Sequence, residues 1–389
     1  MTELHFLPAA GGDFLWLRFG TLTDKMHNII IDSGYRSCFL DFNAILRSLA
    51  RAKETIDAIV LTHIDDDHIG GFLCWLESTG TEYPAIEQIY FNTGRGISGR
   101  VGDGGKALEG YFEDSVRGVP LNGDYSVKNA CSILELLQHK KLLDRLCPYS
   151  EADGSTVALP CGASIRFISP SEKAALAFGK LWRTKEKKTV VNYGGAGKNG
   201  GPWDDLDTLM EQKEPPDSSV SNGASLAFLF DFADTHLAFL GDAHADVCAE
   251  GLRALGYTPE RPYPADLVKL SHHGSACNLS GELLALLDSR RFLVSTAPDK
   301  YKKTQKAAVA HLLRFRETVE LYFNCSCPDR MFSRRDREEY LQTGRLILHN
   351  LGFGGPRSRI ALKDGLTLCG KTKGGVYDGR IQHPAEQSG

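Results

Sequence analysis

The sequence lacks the features that mark several classes of protein. Its 389 residues contain no apolar run near the roughly 20 residues that a membrane-spanning helix needs. The first residues show neither the basic nor the apolar region of a secretory signal peptide. The ten cysteines are scattered, apart from Cys325 and Cys327, and have neither zinc-finger spacing nor the pattern of a small secreted framework. We therefore expect a cytoplasmic protein with reduced thiols and no membrane association.

An excess of basic charge is also missing. Lysine and arginine number 45 against 49 aspartates and glutamates, which gives a formal net charge of −4. Dedicated nucleic-acid binders are usually basic, so the overall charge gives no support for such a partner, although it is compatible with a local basic patch. The composition that is present, 42% hydrophobic and 24% charged residues, is typical of a globular protein with a sizeable core.

Short apolar strands alternate with helical patterns in two blocks of the chain. The first block predicts strands at 4–7, 14–19, 28–31, 58–61 and 88–91, with helices over 39–49 and 69–76. The second predicts strands at 225–231, 236–240, 266–270, 292–295 and 320–323, with helices over 283–287 and 307–316. This alternation predicts a layered α/β architecture.

Polar, glycine-rich segments separate and follow these blocks. We interpret the segments at about 93–155, where a helix is predicted over 132–143, and 185–221 as insertions or substrate loops, because long irregular loops in a compact domain tend to be functional or disordered. The predicted organisation is one domain over 1–352 and a partly flexible C-terminal extension over 353–389.

A dense cluster of metal-ligand residue types follows the apolar run at 58–61. His63, Asp65, Asp67 and His68 lie within six residues. Imidazole nitrogens and carboxylate oxygens suit divalent ions such as zinc or manganese. Asp65 or Asp66 alone is equally well explained as a cap of the following helix. The whole set predicts a site for two neighbouring metal ions.

Two later motifs place similar residues after strands. Asp242 follows the apolar run Phe239-Leu240, where one carboxylate can bridge two metals. The paired His272 and His273 follow the strand predicted at 266–270, and a surface pair is the alternative interpretation. Because strand ends are where a sheet presents a site, we expect the three motifs to meet.

The order of these motifs resembles the metallo-β-lactamase superfamily, and most closely the branch that contains the hydrolase domain of the DNA-uptake protein ComEC. The similar motifs, in chain order, are Gly12-Asp13, Ile31-Asp32-Ser33-Gly34, the histidine–aspartate cluster, Asn222 with Ser225-Leu226, Leu240-Gly241-Asp242 and the run at 269–275. The resemblance implies a four-layer αββα sandwich. It also implies two divalent metal ions as cofactors.

The resemblance implies a role for each motif residue. His63 and Asp65 would hold the first metal, and Asp67, His68 and His273 the second. Asp242 would bridge the two ions. Asp67 would also position the attacking hydroxide, and His272 would contact the substrate or protonate a leaving group.

Two departures from the family pattern concern the first metal. Asp65 stands where the family usually has histidine, and no histidine lies between His139 and His236 to supply the usual mid-chain ligand. Asn222 or Ser225 would substitute for it or contact the substrate. Fewer imidazoles shift the preference from zinc toward manganese or magnesium.

The resemblance implies hydrolysis by a metal-activated hydroxide, and phosphodiesters are the favoured substrates, as in a nuclease or phosphodiesterase. The carboxylate-rich first site suits the hard ions that handle phosphates. Lys300, Tyr301 and Lys302, with Lys303 and Lys306 beyond them, are candidates to hold phosphate oxygens of a nucleic acid or nucleotide. The alternative for this basic run is a solvated start of a helix.

Three other functions stay open. One is a small-molecule hydrolase acting on a cyclic nucleotide, lactone or ester. Another is a nuclease effector of a bacterial defence or toxin system, controlled by a partner protein from the same operon. The third is a non-catalytic scaffold, which the aspartate at position 65 suggests and which the retained Asp67, His68, Asp242 and His273 argue against. The sequence leaves the oligomeric state open.

Overall fold

The computed structural model of the chain describes residues 1–21, 25–80, 82–94, 96–97, 125–186, 204–297, 303–325, 331–351, 359–363 and 365–370. Within these ranges, the first of two mixed sheets has the strand order β15-β16-β1-β2-β3-β4-β5-β6. Its strands are β1 (Thr2–Phe6), β2 (Leu15–Phe19), β3 (His27–Ile31), β4 (Ala58–Leu61), β5 (Ile89–Phe91), β6 (Leu146–Cys147), β15 (Arg359–Lys363) and β16 (Leu366–Cys369). Strands β1 to β3 are antiparallel, and β3 to β6 are parallel.

The second sheet has the order β14-β13-β12-β11-β10-β9-β8-β7. Its strands are β7 (Val157–Ala158), β8 (Ser164–Ser169), β9 (Ala227–Phe232), β10 (Thr235–Phe239), β11 (Leu267–Lys269), β12 (Arg291–Val294), β13 (Val319–Phe323) and β14 (Leu346–Asn350). Strands β8 to β10 are antiparallel, and β10 to β14 are parallel. Each sheet therefore combines an antiparallel meander with a run of parallel strands.

Helices cover the outer faces of the sheets. They are α1 (Phe39–Ala52), α2 (Asp66–Glu77), α3 (Tyr125–His139), α4 (Glu172–Glu186), α5 (Leu206–Glu211), α6 (Val220–Gly223), α7 (Ala245–Ala254), α8 (Gly281–Ala285), α9 (Lys303–Phe315) and α10 (Arg334–Asp336). A π-helical turn (Arg337–Leu341) follows α10. No helix in the described ranges is both long enough and apolar enough to cross a membrane.

Three buried clusters define the layers. One fills the space between the sheets and includes the contacting rings of Phe19 and Phe230. A second packs α1 and α2 against the first sheet through Phe42 and Phe72, and a third packs helices against the second sheet around Leu312. Burial of apolar side chains on both faces of both sheets is the main stabilisation of this arrangement. The predicted αββα sandwich is confirmed.

Two segments are more deeply integrated than their sequence suggests. Helix α3 lies in the segment 93–155, interpreted above as an insertion, and buries Ala130, Ile133 and Leu137 in the cluster that holds α1 and α2. Strand β16 lies beyond residue 352 and pairs in parallel with β1. The domain boundary at 352 and the limits of the insertions stay predictions.

Candidate metal centre

The site lies where loops leave the carboxyl ends of parallel strands, which is the edge at which α/β sheets bind ligands. Strand β4 leads to His63 and the start of α2, β10 leads to Asp242, and β11 leads to a short helical turn (Ser271–Gly274). The loop between β1 and β2 adds Asp13 from the first sheet. The three predicted motifs therefore meet, and each sheet contributes ligand-type side chains.

Close backbone packing holds the start of α2 in place. A Cβ atom at Gly70 would lie 2.4 Å from the Arg36 nitrogen, and one at Gly71 would lie 2.4 Å from the Ser33 oxygen. Only glycine allows these approaches. The glycine pair thus fixes the helix that carries Asp67 and His68 against the loop after β3.

Asp242 lies at the centre of the cluster. Its Oδ1 is 3.5 Å from Nε2 of His68, and its Oδ2 is 3.7 Å from Nε2 of His63 and 3.8 Å from Nε2 of His273. Ligand atoms sit about 2.0–2.2 Å from an ion such as zinc, so two ligands of one ion are at most about 4.4 Å apart. The separations around Asp242 fit this limit.

His68 is oriented by a buried carboxylate behind it. Its Nδ1 lies 2.8 Å from Oδ2 of Asp32. The Thr62 hydroxyl donates to the same oxygen, and the backbone N–H of Thr62 donates to Oδ1 of Asp32. Because the Asp32 oxygen can only accept, the proton of a neutral His68 sits on Nδ1, and the lone pair of Nε2 then faces the centre. Metal-binding histidines commonly have such a carboxylate behind them.

His273 has a similar partner in Asp13, a residue for which the sequence predicts no specific role. Nδ1 of His273 lies 3.3 Å from Oδ1 of Asp13, whose Oδ2 forms a buried ion pair with Lys269. Burial alone would raise the pKa of Asp13, but Lys269 and His273 outweigh it and lower the pKa to about 2. Asp13 therefore stays ionised between the two cations.

Ligand atoms of Asp13, His68, Asp242 and His273 all lie within 4.8 Å of one another, which makes them a candidate metal site. Burial opposes a charge on His273, but Asp242 and its neighbouring carboxylates outweigh burial and raise the pKa of His273 to about 9. The same negative surroundings that favour a proton on this imidazole favour a metal cation in its place.

The remaining predicted ligands lie around this core. Oδ2 of Asp67 is 3.2 Å from Nε2 of His273 and 3.9 Å from Nε2 of His68. Oδ2 of Asp65 is 3.7 Å from Nε2 of His63. Asp66 is different, since its Oδ1 accepts a hydrogen bond from Asn129 at 3.4 Å. The structure thus groups Asp67 with His68 and His273, and Asp65 with His63.

The hydrogen bonding of three buried polar atoms shows whether the cluster suits a metal. Nε2 of His63, Nε2 of His68 and Oδ1 of Asp242 have no hydrogen-bond partner among the described residues. A buried polar atom without a partner is costly, and such atoms ordinarily mark a water, an ion or a functional site. All three belong to side chains directed at one centre, so the donor set fits divalent metal.

The other predicted site residues lie in different surroundings. The side chain of His272 is partly exposed to solvent, and its Nε2 lies 3.9 Å from Oδ2 of Asp242. Asn222 and Ser225 are buried beside the cluster: Asn222 donates to Asp217 at 2.8 Å, and the Ser225 hydroxyl accepts from the backbone N–H of Asp242 at 3.1 Å. Substrate contact by either side chain stays a prediction.

The predicted phosphate-binding run falls largely outside the described residues. Lys300, Tyr301 and Lys302 lie there, so their role stays a prediction. Lys306 is described, and its buried ammonium group lies 2.6 Å from Oδ2 of Asp336. Lys306 is therefore excluded as a phosphate ligand, because its charge is already neutralised inside the protein.

Several residues of the site were not predicted from the sequence, and only some of them leave a recognisable pattern in it. Lys269 is a charged residue inside an apolar run, which requires a buried partner, and that partner is Asp13. Asp217 and Asn278, which surround His272, lie in irregular segments that show no periodic pattern.

Part of the chain is similar to a known protein family. Residues 21–139 match the family model described as the metallo-β-lactamase superfamily. No curated protein matches the chain in sequence. One similar solved structure is the metallo-β-lactamase fold protein YhfI from Bacillus subtilis, with 9% identity, a TM-score of 0.36, and coverage of 91% of this chain and 98% of that one.

Another similar structure is a mutant of the CmlA β-hydroxylase, with 11% identity and a TM-score of 0.34. The match covers 89% of this chain and 51% of the hydroxylase chain, so this chain spans about half of that protein. Residues 21–139 are thus similar to the metallo-β-lactamase superfamily, and the two-sheet architecture is consistent with a metallo-β-lactamase fold.

Proposed function

We propose that the protein is a metal-dependent hydrolase of phosphodiester bonds, with a nucleic acid or nucleotide as its substrate. The observation that carries this proposal is that Nε2 of His63 and Nε2 of His68, both buried and without a hydrogen-bond partner among the described residues, face the Asp242 carboxylate. These donor atoms are suited to binding divalent ions, and hydrolysis is the reaction that similarity to the superfamily suggests.

The residues of the centre would have different roles in this reaction. Asp67, His68 and His273 would hold one ion, His63 and Asp65 the other, and Asp242 would face both. Bound divalent ions supply an acidified water and stabilisation of the negative charge that develops on the attacked group. Asp67 is 20% exposed at its side chain, which leaves it able to orient a water as well as bind metal.

Phosphodiesters are favoured over other substrates by the oxygen-rich donor set. Asp65, Asp67 and Asp242 face the centre, and such hard ligands suit manganese or magnesium as well as zinc. The similarity of the motifs at 63–68 and 269–275 to the ComEC-type branch supports the same choice. Control by a partner protein from the same operon stays a prediction.

The test combines metal analysis with a substrate screen of the purified protein. We expect about two equivalents of zinc or manganese, and metal-dependent turnover of single-stranded DNA, duplex DNA, RNA or bis-p-nitrophenyl phosphate. Asp67→Ala should lower that turnover by at least about a hundredfold, because it removes a group from the reacting centre.

Asp66→Ala is the matched control, because the neighbouring carboxylate faces Asn129 instead of the centre, and its turnover should equal that of the wild type. Equal turnover by Asp67→Ala would overturn the assignment of Asp67. Turnover of a lactone or ester without any phosphodiester would replace the proposed substrate class with small molecules.

A further inference from the structure

His272 is held by two oxygen atoms on the side away from the centre. Its Nδ1 lies 3.0 Å from the amide oxygen of Asn278 and 3.3 Å from Oδ2 of Asp217. Both oxygens can only accept, so the proton of a neutral His272 sits on Nδ1. The lone pair of Nε2 is then free on the opposite side of the ring, which faces Asp242.

The same arrangement occurs at two other histidines of the centre, each of which has a carboxylate behind its ring. Nδ1 of His68 lies 2.8 Å from Asp32, and Nδ1 of His273 lies 3.3 Å from Asp13. In each case Nε2 faces Asp242, at 3.5 Å for His68, 3.8 Å for His273 and 3.9 Å for His272. His272 therefore has the surroundings of a ligand.

His272 lies where the first metal site needs a further ligand. Nε2 of His63 and Nε2 of His272 lie 3.7 and 3.9 Å from the same oxygen, Oδ2 of Asp242. Both separations are within the limit of about 4.4 Å for two ligands of one ion. His63 and Asp65 alone are a poor ligand set, and the chain has no mid-chain histidine to complete it.

We propose that His272 is a protein ligand of the first divalent ion, beside His63, Asp65 and Asp242, and that Asp217 is the residue that positions it. This proposal rests on the metal-dependent function proposed above, and it replaces the substrate contact expected for His272. The ion would then have two imidazoles, a set that accepts zinc as well as manganese.

Asp217 is itself firmly held. Its Oδ1 accepts the backbone N–H of Ser219 at 2.8 Å, and its Oδ2 accepts from the amides of Asn222 at 2.8 Å and Asn278 at 2.9 Å. Burial opposes ionisation, but these bonds and His272 outweigh it and hold the pKa of Asp217 below its usual range. A fixed anion behind an imidazole orients the ring and strengthens its bond to metal.

The backbone at His272 is in the left-handed region, with a φ of +47°, and His273 is also left-handed, with a φ of +56°. Two successive left-handed residues turn the chain sharply, so neighbouring imidazoles reach the centre from different directions. This conformation strains side chains with a Cβ atom and is relaxed for glycine. His272→Gly therefore removes the imidazole without opposing the turn.

The experiment measures manganese and zinc binding by calorimetry and metal analysis in full-length wild type, His272→Gly and Asp217→Asn. We expect two equivalents in wild type. His272→Gly should keep one equivalent and bind the second at least about a hundredfold more weakly, and Asp217→Asn should weaken the second by about tenfold to a hundredfold. The visible spectrum of the cobalt-loaded protein should lose the contribution of one nitrogen ligand in His272→Gly.

His139→Ala is the matched control, because this exposed histidine lies at the end of α3, outside the centre. Two unchanged equivalents and an unchanged cobalt spectrum in His272→Gly would overturn the proposal. If that variant keeps both metals but loses hydrolysis, His272 acts on substrate and only the ligand assignment fails. Wild type that binds two metals through His272 but hydrolyses no phosphodiester would instead overturn the proposed function.

Discussion

At the scale of single residues, carboxylates lie behind three histidines of the candidate metal centre. Asp32, Asp13 and Asp217 each stand behind a different histidine, and they belong to three different loops. A histidine ring that turns by a few tens of degrees no longer directs its lone pair at the metal. The residues behind the histidines are therefore expected to matter nearly as much as the ligands themselves.

Asp32→Asn tests this at His68. Asparagine tolerates the left-handed backbone at this position, where φ is +55°. It removes the anion that faces Nδ1 of His68 and the strong acceptor for Thr62. We expect affinity for the metal at His68 to fall by about tenfold to a hundredfold, measured by competition with a chelator.

The control is Asp144→Asn, at an exposed position away from the centre. Unchanged metal affinity in Asp32→Asn would show that hydrogen bonding by Thr62 suffices to orient His68.

At the scale of secondary-structure elements, one buried ion pair joins three helices. Lys306 on α9 pairs with Asp336 on α10, and Asp336 also accepts the first N–H of α5 at Leu206, at 2.7 Å. Asp336 further closes a reciprocal cap with Ser333 at the start of α10. Burial opposes ionisation of Asp336, but these partners outweigh it and hold its pKa below its usual value.

Asp336→Asn should therefore cost about 3–5 kcal/mol of unfolding free energy at neutral pH, because it leaves the Lys306 ammonium buried without a counter-charge. The folded-state pKa lies below the unfolded value, so this contribution is present above about pH 4 and is lost as the pH falls through the folded pKa. Urea unfolding of both proteins from pH 7 to pH 3 should show the difference shrinking in acid.

The double variant Asp336→Asn with Lys306→Met is the control, and it should recover part of the lost stability because it removes the unpaired charge. A difference between wild type and Asp336→Asn that stays constant with pH would mean that the ionised form of Asp336 is not the source of stability.

At the scale of the whole molecule, the centre is shared by both sheets. The first sheet supplies His63, Asp65, Asp67 and His68, and the second supplies Asp242, His272 and His273. The buried Lys269–Asp13 pair crosses between the two. Strand β16 pairs with β1 and joins it to β15, the strand at that edge of the first sheet.

Leu368→Ala tests whether this last strand belongs to the core. Leu368 is fully buried between the sheets and pairs with Leu4 of β1. We expect a loss of about 2–5 kcal/mol in unfolding free energy, because truncation leaves a cavity in the packed interior. Thr367→Ala, one residue away on the opposite face, should change stability by less than about 1 kcal/mol. Equal stability of Leu368→Ala and wild type would show that the strand is not part of the cooperative fold.

Much of the fold and of the ligand set was predictable from sequence, because both leave local patterns. The run from 58 to 61 predicted β4, and the spacing of His63, Asp65, Asp67 and His68 predicted a site that the fold does bring together. Helix α3 begins at Tyr125 instead of 132, because its start lies in a segment with weak periodicity. Asp217 was not predictable, since its function depends on a contact with His272, which lies 55 positions further along the chain and comes close only through tertiary packing.

The pairing of β1 with β16 also has a consequence for biosynthesis. Residues 2–5 are synthesised more than 350 residues before their partners, residues 366–369. Until then, β1 has an open edge that can pair with other nascent chains. The part of the chain that carries His63 and His68 therefore exposes a strand edge during translation, and the candidate metal centre can be completed only after the loops that follow β10 and β11 have been synthesised.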